Sequence, residues 1–175
     1  MWRRRIKGLT SCLGVAILAA TWFWYDQPVV RRSASGEAII IRDGDTLSIT
    51  GVDHRLHGID APEYRQTCQR ADGSDWECGK QARSALFAFT TGKTLTCEEL
   101  ARDKYQRVVA RCVDGQSRDI AQMMAQSGMA ISLNGFTQGP YADDAQSAKD
   151  AKRGIWQGRF AEPSIWRETH EKAPR

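Results

Sequence analysis

The chain has 175 residues, with 25 Lys and Arg against 21 Asp and Glu and a formal net charge of +4. Its apolar share of 41% and charged share of 26% are ordinary for a globular protein and fit one domain with an appendage. The charge does not describe a basic nucleic-acid coat. Residues 1–35 hold six of the Lys and Arg and one acid, which leaves 19 basic and 20 acidic residues, a net −1, from residue 36 onward. Any grip on phosphate beyond the terminus must therefore be local or metal-mediated.

The start reads "MWRRRIKGLTSCLGVAILAATWFWYDQ". A basic flank, 1–7, precedes an uncharged stretch, 8–25, close to the ~18 to 20 residues needed to span hydrocarbon. Lys and Arg on the short leading side place that side in the cytoplasm. Bulky Trp22, Phe23, Trp24 and Tyr25 stand where a signal peptidase wants small residues. A single-pass anchor is the expectation, with a cleaved signal peptide as the alternative. Either exports the remainder to the periplasm or beyond, as an inner-membrane or secreted protein. Residues 26–35 are polar and read as a linker. The globular domain is expected over 36–167, with 168–175 as a tail.

"EAIIIRDGDTLSITGVDHRLHGID" carries β-branched runs broken by "RDGDT" and "TGVDH", which predicts three short strands joined by tight turns. Strand alternation would set Arg55, His57 and Ile59 on one side. "GKQARSALFAFTTG" has helical apolar spacing and stops at Gly92. "KTLTC" and "RVVAR" are strand-like, with "EELARDKYQ" between them. "SRDIAQMMAQSGMA" predicts a helix closed by Gly128. "GPYADDAQSAKDAKRGIW" predicts another, closed by Gly154. This order excludes a doubly wound parallel sheet and fits a small antiparallel barrel packed with helices.

Outside the span lie Cys68, Cys78, Cys97 and Cys112. An even count in an exported domain points to two disulfides with three possible connectivities. No pair has C-x-x-C spacing, which disfavours zinc. Cys68 and Cys78 flank a polar loop, and a hairpin would set Cys97 opposite Cys112, so 68–78 and 97–112 are favoured.

Four pieces carry possible chemistry: Asp45 in "RDGDT", Arg55, Asp60 with Glu63 in "DAPE", and Arg107 in "RDKYQR". Taken singly, each has a plain reading: a hairpin turn, a rim charge, a proline turn, a solvated loop. Taken together, the carboxylates offer hard oxygen donors suited to Ca2+ or Mg2+. The arginines suit bidentate contact with phosphate. Metal, guanidiniums and a spare carboxylate are the needs of phosphodiester hydrolysis.

"DGDT", then Arg55 ahead of "DAPE", then "DKYQR", resembles the thermonuclease (staphylococcal nuclease-like) family from about Ile39 to Trp156. The closing "RGIWQGRFAEPSIWR" and the placing of the cysteines resemble exported bacterial members. The resemblance implies a mainly β, α+β fold: a five-stranded OB-fold Greek-key barrel with three helices, here preceded by the N-terminal transmembrane or signal helix. It implies Ca2+ held by Asp45, Asp60 and the Ala61 carbonyl. Arg55, Glu63 and Arg107 take the catalytic positions, with Glu63 as general base. The substrate implied is DNA or RNA. Lys104, Tyr105 and Phe136 are candidate substrate contacts. Gln106 stands where the family usually has Gly, and the tyrosines that often follow "GMA" are missing, with Phe136 the aromatic near them. A membrane-anchored monomer without a protein partner is expected. The alternative is a non-catalytic OB-fold module that binds an anionic polymer or assists envelope polysaccharide assembly.

Overall fold

The computed structural model describes residues 31–35, 39–133 and 139–170. The expected membrane segment 8–25 and Phe136 lie outside the described residues. Among those residues, no helix is long and apolar enough to cross a membrane.

Strands β1 (Arg31–Ser35), β2 (Ile39–Ile41), β3 (Thr46–Ile49) and β4 (Val52–Leu56) come first. Three strands of two residues follow: β5 (Ile59–Asp60), β6 (Cys68–Gln69) and β7 (Asp75–Trp76). Then come helix α1 (Cys78–Thr90), strands β8 (Thr94–Arg102) and β9 (Val108–Asp114), and helix α2 (Ile120–Gln126). Strand β10 (Ile131–Ser132), helix α3 (Ala142–Asp150), a 3-10 turn (Gly154–Gln157) and helix α4 (Pro163–His170) complete the domain. The main sheet has the order β1-β8-β9-β4-β3-β2, with β5–β10 and β6–β7 as separate pairs. All neighbours in the main sheet are antiparallel except β4 and β9, which run parallel.

This order forces the sheet to curl. β1 and β2 are at opposite edges, yet only four Cα steps separate Ser35 from Ile39, at most ~15 Å. Six strands laid flat would separate the edges by ~24 Å. The result is an OB-like mixed α+β fold with a curled half-barrel sheet and, among the described residues, four helices, rather than the expected five-stranded barrel with three helices. Leu47, Leu56, Ile59, Leu86, Leu95 and Met124 form the centre of the core, each fully buried among residues of the strands, α1 and α2. A smaller cluster joins Cys68, Trp76, Cys78 and Ile155.

Three sequence expectations change. Residues 31–35, read as linker, form β1, whose backbone pairs with β8 from Arg31 opposite Glu98 to Ser35 opposite Thr94. Its sequence is polar because only Ala34 of the strand is buried, so main-chain hydrogen bonds rather than an apolar pattern make it a strand. The tail boundary at 168 also moves, because α4 runs to His170. Finally, Arg55 and Ile59 are not on one continuous strand. His57–Gly58 makes a turn, with Gly58 at φ +78°, where a Cβ would also run into Pro140. Ile59 therefore turns into the core while Arg55 faces the cleft.

Both favoured disulfides are present, Cys68–Cys78 and Cys97–Cys112. The second joins residues directly opposite in the β8–β9 hairpin. The first closes the loop leading into α1. β8 continues through "EELAR", so the loop before Arg107 is only Asp103–Arg107.

Candidate active site

The β3–β4 hairpin brings the first acid to the first arginine. Thr46 lies opposite Arg55 in the register, and the Leu56 N–H donates to the Asp45 carbonyl at 2.8 Å. Arg55 then spreads its guanidinium over two carboxylates: Nη1 donates to Asp45 Oδ2 at 2.6 Å and Nη2 to Asp60 Oδ1 at 2.7 Å. Both acids are nearly inaccessible, at 5% and 2% exposure. The Ala61 N–H reaches Asp45 Oδ2 at 3.4 Å. Asp45, Arg55, Asp60 and Ala61 are thus one network at the base of the hairpin.

Glu63 follows in the turn after β5. Gln66, itself buried, accepts from the Glu63 N–H at 3.2 Å and donates to the Ala161 carbonyl at 2.7 Å. Gly79 lets α1 approach here, because a Cβ would collide with the Glu63 carbonyl. The turn is therefore set by α1, Gln66 and the nearby Cys68–Cys78 bond.

Arg107 stands on the far wall. Because β4 and β9 are parallel, with Arg55 beside Val109, the loop that precedes β9 overhangs the acids. Asp103 organises that loop, accepting from the backbone N–H groups of Tyr105 and Arg107 and from Arg107 Nε at 2.7 Å. Burial would raise the Asp103 pKa, but these hydrogen bonds, the guanidinium's first, hold it below the usual carboxylate value. Gln106 takes φ +65°, so it keeps the left-handed bend that a Gly would make without strain. Tyr105 is 64% exposed, with Lys104 Nζ 5.0 Å and Arg107 Cζ 5.5 Å from its ring centre. An exposed ring with two cations close by is suited to a base stacked beside its phosphate.

A cleft of about 660 Å³ is lined by Asp43, Asp45, Arg55, Glu63, Arg107 and Arg167, with Lys104 and Tyr105 also on its wall. Asp60 lies in an adjoining pocket that shares Arg55 and Arg167. Asp43, Asp103 and Arg167 were missed in the sequence. Asp43 sits in the same "RDGDT" turn, and Asp103 is four residues before Arg107, so both had local signals. Arg167 had none of that kind. Its Nη1 and Nη2 donate to Asp60 Oδ1 and Oδ2 at 3.1 and 2.9 Å, and Nη1 donates to Glu63 Oε1 at 2.7 Å, across more than a hundred residues of chain.

Charge in this cleft is densely mixed. Asp43, Asp45 and Glu63, with Asp60 in the adjoining pocket, meet Arg55 and Arg167, while Asp103, Lys104 and Arg107 line the opposite wall. For Asp43, burial first, then the neighbouring Glu63 and Asp45, push the pKa up to about 7, despite a hydrogen bond from the Gly44 N–H. Burial likewise raises the Asp45 pKa, with Arg55 opposing. Burial alone would lower the Arg55 pKa, but Asp45 and Asp60 outweigh it. Hydrogen bonds to Asp60 and Glu63 raise that of Arg167. The oxygen-only donor set is of the kind that suits a hard divalent cation. Among the described residues, no three acidic, His or Cys groups are gathered closely enough to hold one; the two guanidiniums stand between the acids.

The family model described as staphylococcal nuclease homologue matches residues 53–158, so Asp45 and Arg167 both lie outside the match. The chain is 36% identical over 149 residues to the succinoglycan biosynthesis protein ExoI of Rhizobium meliloti, covering 82% of this chain and 75% of that one. It is 27% identical over 151 residues to an uncharacterized endonuclease of Escherichia coli, covering 83% and 92%. A probable endonuclease, LCL3, of Candida dubliniensis is 27% identical over 146 residues, covering 77% and 55%. The family model spans more than half of the chain, and the chain belongs to the staphylococcal nuclease homologue family.

Proposed function

We propose that the protein is an exported, calcium-dependent nuclease that hydrolyses DNA or RNA phosphodiester bonds. The observation that carries this reading is the convergence of Asp45, Arg55, Glu63 and Arg107 on one cleft, with Asp60 held to Arg55 from an adjoining pocket. Family membership and relatives named as endonucleases support nuclease chemistry. Asp45, Asp60 and the Ala61 carbonyl are the groups to hold the cation, which when bound polarises a phosphoryl oxygen and lowers the cost of forming hydroxide. Glu63 accepts the proton of the attacking water as the new P–O bond forms and the ester P–O bond breaks. Arg55 and Arg107 approach the phosphate from opposite walls, and their fixed positions stabilise charge that grows as the bond forms. Lys104 and Tyr105 meet the adjoining nucleotide.

Residues 8–25 anchor the protein in the inner membrane, with the domain outside the cytoplasm. Two disulfides support an oxidising compartment. The full-length protein then pellets with membranes and resists carbonate extraction. A soluble form starting between residues 20 and 36, found by N-terminal sequencing, replaces the anchor with a cleaved signal.

The name of the Rhizobium meliloti relative, a succinoglycan biosynthesis protein, favours one second reading, a non-catalytic accessory in envelope polysaccharide assembly. Fluorescent DNA and RNA oligonucleotides, incubated with the purified protein in Ca2+ and then in EGTA, separate the two. Cleavage in Ca2+ that EGTA abolishes supports the nuclease; intact oligonucleotides in both support the accessory.

A further inference from the structure

We propose that Arg167 is a built-in counter-cation that closes the acidic site, making α4 a latch that a divalent cation must displace. The inference rests on the reading of Asp45 and Asp60 as metal acids and adds its regulation.

The geometry is that of a substitute ion. Each carboxylate oxygen of Asp60 accepts from Arg167, and Oδ1 accepts from Arg55 as well. Both acceptor positions of Oδ1 are thus filled, and a cation that binds through both Asp60 oxygens must take the space of a guanidinium N–H. The same Arg167 Nη1 holds Glu63, so the closed form also occupies the carboxylate assigned to proton transfer. Entry of the metal and release of the base are therefore one event.

The helix that carries Arg167 is built to let go. Of the residues of α4, only Pro163 is buried. Ile165 is 53% exposed and the Arg167 side chain 30%. The chain before it is fixed: Ile155 is in the small core cluster, Arg159 and Gln69 exchange backbone hydrogen bonds at 2.8 and 3.1 Å, and Gln66 holds the Ala161 carbonyl. Movement is thus confined to a short helix beyond a firm base, where few apolar contacts oppose opening. Arg55, between Asp45 and Asp60 on a core hairpin, has no such freedom.

The test uses the full-length protein and Ca2+ alone, without nucleic acid. Hydrogen exchange is followed in the wild type, and calorimetry compares wild type with Arg167→Gln. The latch predicts that Ca2+ speeds exchange of the α4 amides while those of β3 are unchanged. It predicts that Arg167→Gln binds Ca2+ at least about tenfold more tightly, since binding no longer breaks charge-assisted hydrogen bonds. Unchanged α4 exchange in the wild type overturns the latch without need of a variant. Equal or weaker affinity in a folded Arg167→Gln overturns it too, and leaves the calcium reading standing. If neither protein binds Ca2+, the calcium reading falls and the latch falls with it.

Discussion

Arg55 and Arg167 both set a guanidinium against Asp60, yet they come from regions built differently. Arg55 rises from a hairpin in the curled sheet, with its side chain 14% exposed and its partners at 7% and 2%. Arg167 comes from an eight-residue helix at the end of the domain and is 30% exposed. The contact chemistry is the same, but the cost of breaking it is set by what surrounds it. A charge left unpaired in the core cannot recruit water, whereas one at the cleft mouth can.

Substitution sharpens that contrast most strongly. Arg55→Met should destabilise the domain by about 3 to 5 kcal/mol, because Asp45 is left buried without a counter-charge. Arg167→Gln should cost no more than about 1 kcal/mol, since Asp60 keeps Arg55 and Arg167 is partly solvated. Urea unfolding in EGTA measures both, and equal losses would erase the distinction.

The disulfides divide in the same way. Replacing either pair by alanines should cost roughly 3 kcal/mol in the chain-entropy model. Loss of Cys97–Cys112, within the sheet, should leave native-state cleavage intact. Loss of Cys68–Cys78, beside Gln66 and Glu63, should reduce turnover as well. Unfolding curves and initial rates separate the effects.

A smaller effect concerns pH without metal. The folded pKa of Asp43 is about 7, above the ordinary 3.8, so the folded state holds this proton more tightly. Its stabilising contribution is complete below about pH 3.8 and is lost as pH rises through 7. In EGTA the wild-type Tm should fall between pH 5 and 7.5, and Asp43→Asn should flatten part of that fall. A parallel decline in the variant would remove Asp43 as the cause.

The smallest effect lies in the loop opposite. Gln106→Gly removes left-handed strain but frees the unfolded chain, so the net gain should stay within about 1 kcal/mol. A loss of Tm beyond that would mean the Gln side chain does more than tolerate the bend.

These differences also explain what could be seen in the sequence. Asp45, Arg55, Asp60 and Glu63 were legible because turns and a hairpin register, all local, bring them together. The disulfides were legible because one closes a loop and the other crosses a hairpin. β1 was hidden because an edge strand with one buried side chain needs no apolar pattern. α4 was hidden for a related reason: it is only eight residues long and buries only Pro163, too short a segment for its period to stand out. Arg167 meets Glu63 from 104 positions away, and no local rule joins them. The parts bound to the core wrote themselves into periodicity, while the part bound by charge did not.

The central claim is that Asp60 and Glu63 have separate tasks, one holding the cation and one taking the proton. Calcium calorimetry on the wild type, Asp60→Ala and Glu63→Gln, beside oligonucleotide cleavage by the same samples, tests it most directly. The account predicts that Asp60→Ala loses Ca2+ binding, while Glu63→Gln binds Ca2+ and cleaves about 10²-fold or more slowly. A wild-type protein that binds Ca2+ yet cleaves neither DNA nor RNA, or a Glu63→Gln variant with unimpaired turnover, would contradict it.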